Sequence, residues 1–417
     1  MAQSIILASA EGPMIKVSLD DIKKAKKAIQ SHTLKTPYLP FSYLGDKTGK
    51  EIYLKCEMFQ FTGSFKARGA TNFMLANLEE AKRVGVVTAS AGNHAQGVAW
   101  ICQKLGVSAT IVMPATTPPI KVQNTEKFGA AVELVGEVYD EAFEHAQQLA
   151  TEKGHLYVPA FRNSQIIAGQ GTVGLELIED PRFIDCEAVV VSVGGGGLMT
   201  GVATVLKALR PEIKIYAVGA KNSPAAWKSF KNKKAEPSPV SFTLAEGVAN
   251  KRPDEQMLAH LIEKVDDMFA VSEESIANAM ALLAERGKLV AEGAGALPVS
   301  AVLDGLIPEK KVTLILSGGN VDLPALSNSL HRGLVEQGRI VTLDIRISDR
   351  PGGLHKLTQV LFEIGANILQ VFHQRTTLAL GIGETQVEVL LETRGQKHTD
   401  ATIVALENHG FTVQRIH

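Results

Sequence analysis

The stretch "AVVVSVGGGGLMTG" (188–201) decides how the chain is read. Six residues, apolar apart from Ser192, run into four consecutive glycines and then into a helical pattern. A strand that is apolar throughout, instead of alternating, is buried on both faces, as in parallel sheets covered by helices. The same short apolar runs recur as "GVVTA" (85–89), "ATIVMP" (109–114), "AAVELVG" (130–136), "KIYAVGA" (214–220) and "VTLILS" (312–317). Amphipathic stretches such as 93–105 separate them. This alternation predicts an α/β fold with a parallel sheet covered on both sides, over about residues 15–325. Ligands of such a sheet lie beyond the carboxyl ends of its strands.

The four glycines themselves point to phosphate. Their backbone N–H groups carry no Cβ obstruction and stand at the positive end of a helix dipole. Two other readings of the loop fail on spacing. The dinucleotide pattern G-x-G-x-x-G would need glycine at Met199 or Thr200, and the next strand ends in Gly219, Ala220 and Lys221 without an acidic residue for a ribose. The nucleotide P-loop would need a trailing Lys-Ser/Thr. A plain strand-to-helix turn is the alternative, although four glycines exceed what a turn requires.

After about residue 335 the texture changes. "RIVTLDIRI" (339–347) alternates like a half-exposed strand, "SDRPGG" (348–353) turns, and "GLHKLTQVLFEIG" (353–365) reads as a helix closed by Gly365. "NILQVFHQRTT" (367–377) and "ETQVEVLLET" (384–393) form a hairpin pattern. "TDATIVALENHG" (399–410) is a second helix and "FTVQRI" (411–416) a last strand. The order βαββαβ describes a ferredoxin-like module of about 75 residues. Two domains are therefore expected, 1–330 and 339–417, joined by a helix-like connector at "LHRGLVEQGR" (330–339).

Bulk properties narrow the function. Forty-three basic and forty-four acidic side chains leave a net charge of -1, which gives no reason to expect a nucleic-acid partner or an acidic membrane surface. The lysines 228, 231, 233 and 234 read as a solvated loop. Three scattered cysteines form no Cys-x-x-Cys, so neither a disulfide framework nor a zinc site is expected, and a reducing compartment fits. "SIILASA" (4–10) is a poor signal peptide, and no apolar run reaches the roughly 18 residues of a membrane span. A cytoplasmic protein is expected.

Two further loops carry candidate chemistry. "TASAGNHAQG" (88–97) leaves a strand through small residues; Asn93 is either an N-cap or a ligand, and His94 is more doubtful. "LILSGGN" (314–320) places Ser317 at a strand end. If these loops and the glycine loop leave one edge of one sheet, they form a single polar hollow. Lys66, in "FTGSFKARGA" (61–70), is then either a solvated charge or an amine placed beside a phosphate cradle. The second reading suggests a Schiff base with pyridoxal phosphate.

"GSFKARGA", "SAGNHAQG", "GGGGL" and "SGGN", in this order, resemble the fold-type II pyridoxal-phosphate enzymes related to the tryptophan synthase β subunit. Within that group the chain is similar to the threonine ammonia-lyases, or threonine dehydratases, and its last 75 or so residues resemble an amino-acid-sensing ACT domain. The resemblance implies that residues 1–330 form a catalytic domain of two α/β subdomains, with parallel sheets flanked by helices. The resemblance implies that Lys66 is the Schiff-base lysine and that Phe65 packs on the pyridine ring. Asn93 would bond the ring hydroxyl, and Gly194, Gly195, Gly196, Gly197 and Leu198 would hold the phosphate. Ser317 would meet the ring nitrogen; a hydroxyl there leaves that nitrogen largely neutral, which suits loss of a β-leaving group. Ser64, Ser90, Gly92 and Asn93 are implied contacts of the substrate carboxylate.

The activity implied is β-elimination of water from L-threonine, and more slowly from L-serine, with Lys66 taking the α-proton and 2-oxobutanoate and ammonia as products. Homodimers or homotetramers and an amino-acid effector at the ACT domain are also implied, in isoleucine synthesis or in threonine breakdown. Serine or 3-hydroxyaspartate lyases are alternatives within the family, and a non-catalytic amino-acid sensor is an alternative outside enzymes. In related serine racemases a second acid–base serine precedes the Gly-Asn pair; here that position is Ala91, which favours a lyase. Some relatives bind a divalent cation through an acidic residue where this chain has Gly219, so no metal is expected there.

Overall fold

A computed structural model describes residues 15–374 and 383–416. "SIILASA" and the end of "NILQVFHQRTT" therefore lie outside the described residues. The chain divides into two units, Met1–Leu323 and Pro324–His417. The division falls before the helix Leu323–Glu336 has run its first turn, earlier than the expected residue 330.

The first unit holds two sheets, as the family resemblance implies and the apolar runs by themselves do not. The larger contains β1 (Tyr38–Pro40), β2 (Glu51–Cys56), β7 (Ala188–Ser192), β8 (Lys214–Ala220), β9 (Asp267–Val271) and β10 (Lys311–Leu316), in the order β1-β2-β10-β7-β8-β9. Within it, only β1 runs antiparallel to its neighbour. The smaller sheet is parallel, with β3 (Val86–Ala89), β4 (Ala109–Met113), β5 (Ala131–Leu134) and β6 (Leu156–Tyr157) in the order β5-β4-β3-β6. Which strands pair is a long-range matter on which an apolar run carries no information. β5 also departs from the expected double burial: it is an edge strand with no buried residue. By contrast, β7 is buried at all five positions, in a core shared with the helix Gly197–Leu209.

Close-packed glycines set the spacing of the helices that flank the site. The helix Ser164–Ile178 starts at Asn163, whose Oδ1 accepts from the N–H groups of Gln165 and Ile166 at 2.8 and 3.2 Å. A Cβ on Gly169 would stand 2.5 Å from Arg68 O, and one on Gly201 only 2.6 Å from Gly171 N. This helix therefore touches both the helix Lys66–Ala76 and the helix Gly197–Leu209 backbone to backbone, and it fixes Lys66 relative to the glycine loop.

The second unit carries one antiparallel sheet of β11 (Ile340–Ser348), β12 (Asn367–Gln374), β13 (Glu384–Glu392) and β14 (Thr412–Arg415), ordered β12-β13-β11-β14. Val341, Leu343, Ile345 and Ile347 alternate into a core shared with the helices Gly353–Ile364 and Gln396–Asn408. Gly365 ends the first of these at φ 74, in the left-handed region that glycine enters freely. Among the described residues no helix is long and apolar enough to cross a membrane.

Candidate active site

Lys66 opens its helix one residue after a turn tied to the end of β10. The Phe65 N–H donates to Ser317 O at 3.1 Å, and Ser64 forms an isolated bridge with Gly318. Lys66 Nζ donates to Ala160 O at 3.0 Å and lies 5.4 Å from the centre of the Phe65 ring. Burial lowers this amine to about 8, and the nearby Glu292 carboxyl offsets part of that fall. An ammonium so poised sheds its proton near neutral pH, which a solvated lysine does not. Ser64 is fully buried, and its hydroxyl oxygen has no partner among the described residues, an exception that a ligand would satisfy.

Asn93 does not cap its helix. Gly92 takes the cap position, and the Asn93 carboxamide accepts from Asn320 Nδ2 and donates to Glu292 Oε1, both at 2.7 Å. Ser90 Oγ accepts from the Gly92 N–H at 3.2 Å. That amide is thus engaged within the turn, unlike the free donor expected for a substrate carboxylate, while the Ser90 hydroxyl proton stays available. His94 belongs to the core: it is buried, pushed down to about 3 chiefly by burial, and 3.1 Å from Val158 O. Held neutral, with its Nε2 proton on a backbone carbonyl, it has no acid–base capacity to offer.

Packing explains the glycine loop more fully than a phosphate argument alone. A Cβ would lie 2.9 Å from Val248 Cα at Gly194, 2.5 Å from the Phe161 ring at Gly195 and 2.5 Å from Gln170 Oε1 at Gly197. Gly196 sits at φ 84 and caps the helix without a side chain. Gly194, Gly195 and Gly196 are thus required by their neighbours or their own backbone, whereas a side chain at Gly197 would first meet the movable end of Gln170. The phosphate reading stands instead on the first-turn N–H groups, Leu198 among them, which have no acceptor within the helix. Ser317 is buried, and its Oγ accepts from Ser192 Oγ at 3.2 Å, leaving its own proton for another acceptor.

The three loops leave two sheets: the asparagine loop follows β3, while the glycine and Ser317 loops follow β7 and β10. Residues from both meet at Gly318. A Cβ at Gly318 would stand 2.5 Å from Glu292 Oε1, 3.1 Å from Ser64 Cβ and 3.3 Å from Asn93 Nδ2. A Cβ on Gly97 would stand 3.4 Å from the Lys66 carbonyl carbon, an ordinary contact.

Sequence reasoning missed Glu292. Burial raises its carboxyl to about 7, against the opposing hydrogen bond from Asn93 and the charge of Lys121. The signal was present in "AEGAGAL" (291–297), one carboxylate among small residues at the start of the helix Gly293–Leu303. The Ala160–Phe161 segment, which joins the Lys66 amine to Gly195, carried no signal of its own. Among the described residues no three His, Cys, Asp or Glu side chains gather as metal ligands.

A lysine that can be neutral, free amides at a helix start, an unpartnered buried serine and a serine with a proton to give suit a phosphate ester bearing an aldehyde. A family model described as "Pyridoxal-phosphate dependent enzyme" matches residues 29–318. An L-threonine ammonia-lyase of Thermotoga maritima is 43% identical over 399 residues, covering 95% of this chain and 99% of that protein. The processed form of threonine deaminase isoform 2 from Solanum lycopersicum superposes with a TM-score of 0.69 at 33% identity, over 79% of this chain and 98% of that one. A maize serine racemase gives 0.71 at 31% identity, over 77% of this chain and 99% of that one.

Proposed function

The chain belongs to the family of pyridoxal-phosphate dependent enzymes, and we propose that it is an ammonia-lyase converting L-threonine to 2-oxobutanoate and ammonia, with L-serine a slower substrate. The observation that carries the reading is Lys66 Nζ, brought to about 8 by burial, near the Glu292 carboxyl to which Asn93 donates. Pyridoxal phosphate, when bound, withdraws electrons from the substrate's α-carbon. Lys66 holds the cofactor and then takes the α-proton at Nζ, for which an amine neutral in part near pH 8 is suited. Phe65 and Asn93 would orient the ring, and Gly194, Gly195, Gly196, Gly197 and Leu198 would receive the phosphate. Ser317 offers the ring nitrogen a hydroxyl, which does not stabilise a positive charge there as a carboxylate would. Ser64 and Ser90 would hold the substrate carboxylate.

Ala91 separates this reading from racemisation. It packs partly buried against the core of the smaller sheet and has no group that can carry a proton to the opposite face of the substrate. Holoprotein incubated with threonine, serine and 3-hydroxyaspartate in turn should release 2-oxoacid fastest from threonine, with no D-serine accumulating from L-serine. Faster turnover of 3-hydroxyaspartate, or racemisation outpacing ammonia release, would overturn the assignment.

The second unit, 339–417 in the sequence reading, serves as an ACT regulatory domain. Gly352, at φ 93, caps the helix Gly353–Ile364 without a side chain; the Gly353 N–H donates to Arg350 O, which leaves the first-turn amides of Leu354 and His355, without acceptors in the helix, to meet an amino-acid carboxylate. Branched-chain amino acids are the effectors to test, and isoleucine would mark a biosynthetic role. Coupling should be modest, on the order of 1–3 kcal/mol. Ending the chain at Leu323 should keep threonine turnover and remove the response to the effector. Loss of turnover together with the assembly would assign the second unit to subunit association instead. We place the enzyme in the cytoplasm as a homodimer or homotetramer; its three cysteines are unpaired and buried, in keeping with a reducing compartment.

A further inference from the structure

We propose that Asn320, the last residue of "SGGN", is a positioning residue that fixes which way the Asn93 carboxamide faces, with the Thr62–Gly63 turn as its anchor. The argument starts from a backbone carbonyl. Thr62 O can only accept a hydrogen bond, and it lies 2.6 Å from the Asn320 side chain, so the Asn320 atom facing it must be the NH2 group. The same NH2 group lies 2.7 Å from the Asn93 carboxamide, which must therefore present its oxygen. Asn93 is left with its own NH2 group directed away, 2.7 Å from Glu292 Oε1. Each amide orientation follows from the one before it, and the first cannot be reversed.

The anchor carries backbone strain. Thr62 has φ 63, a left-handed conformation that a β-branched residue rarely adopts, and its hydroxyl is buried without a partner among the described residues. Gly63 follows at φ 73, and a Cβ there would stand 2.4 Å from Asn320 Oδ1. The turn thus uses two unusual backbone conformations to point one carbonyl at Asn320 and to clear room for its side chain. Gly319 N–H donating to Gly63 O at 3.0 Å holds the two segments in register. Without the lock, Asn93 could present either its oxygen or its NH2 group to a bound cofactor; with it, only a donor is presented.

This inference rests on the proposed reading only in taking Asn93 as a cofactor contact, and its test does not need turnover. Equilibrium binding of pyridoxal phosphate is compared across wild type, Asn320→Ala, Asn93→Ala and the double variant. Each single change should weaken retention by about tenfold or more, and the double variant should be no weaker than Asn93→Ala alone, because Asn320 acts only through Asn93. Asn320→Asp keeps the side-chain volume but removes the donor, so it should reproduce Asn320→Ala; it carries the test if the alanine variant does not fold. Multiplying effects in the double variant, or an Asn320→Asp variant that retains cofactor like wild type, would overturn the proposal. A wild type that holds the cofactor but leaves threonine unchanged would overturn the lyase reading and leave this one standing.

Discussion

Lys66→Ala should leave a folded protein that has lost both the visible absorbance of lysine-bound pyridoxal phosphate, near roughly 410 nm, and threonine turnover, the latter by about a thousandfold or more. Fold retention is expected because the Lys66 side chain, among the described residues, donates one hydrogen bond, to Ala160 O, and its helix is held elsewhere. The pH profile of the unaltered enzyme gives an independent check. Lys66 is released from the cofactor only once substrate is bound and must then be neutral to take a proton, so kcat, which reports the bound complex, should rise with pH in the region of 8, to which burial lowers the free amine. Turnover surviving in the alanine variant, or a profile flat across that range, would remove Lys66 from the reaction.

The second large effect is expected two residues away. Arg68 is buried with two carboxylates, its Nε and Nη2 bonding Glu57 at 2.7 and 2.9 Å and its Nη1 and Nη2 bonding Glu176 at 2.6 and 3.0 Å. Lys55 Nζ completes the cluster, 2.6 Å from Glu176 Oε2. Burial alone would disfavour the guanidinium charge, but the two carboxylates outweigh it and raise Arg68 above its ordinary value. Glu176 likewise resists burial and is held low by Arg68 and Lys55. Arg68→Met removes one cation and strands an anionic excess in the interior, a change that costs about 3–5 kcal/mol. The melting temperature should fall by about 5–10 °C, and the loss should be greater at pH 8 than at pH 5, where protonation relieves the unpaired carboxylate. A melting temperature within about 1 °C of wild type would show that the cluster contributes little net stability.

These residues also mark how far the sequence could be read. Local features were legible: the buried run of β7, the glycine loop that opens a helix, the left-handed stop at Gly365 and the alternation of β11 each follow from residues within one turn or strand. The division into two sheets came from the family resemblance alone, because β3 and β7 look alike until their partners are known. Short strands such as β1 and β6, of three and two residues, offered too few residues for a period to emerge. At the site, Lys66, Asn93 and Ser317 stood out by motif, whereas Glu292 acquires meaning only from a contact with Asn93 across 199 positions. The glycine loop was legible as a loop, but part of the reason for its composition lies with Phe161, Val248 and Gln170, all distant from it in the chain.

Strand order has a bearing on how the protein comes into being. β2, near the start of the first unit, is hydrogen-bonded to β10 near its end, and β10 in turn lies between β2 and β7. On the ribosome, a chain that has emerged only as far as residue 310 has Lys66 but an unfilled gap in the middle of its larger sheet. Pairings so distant in sequence form slowly, since a long loop must close before any contact rewards it. The arrival of β10 brings Ser317, Gly318 and Asn320 to Phe65, Ser64 and Thr62 in a single event. Nascent chains therefore meet free pyridoxal phosphate without a pocket to hold it, and cofactor capture becomes a report that synthesis of the first unit has finished.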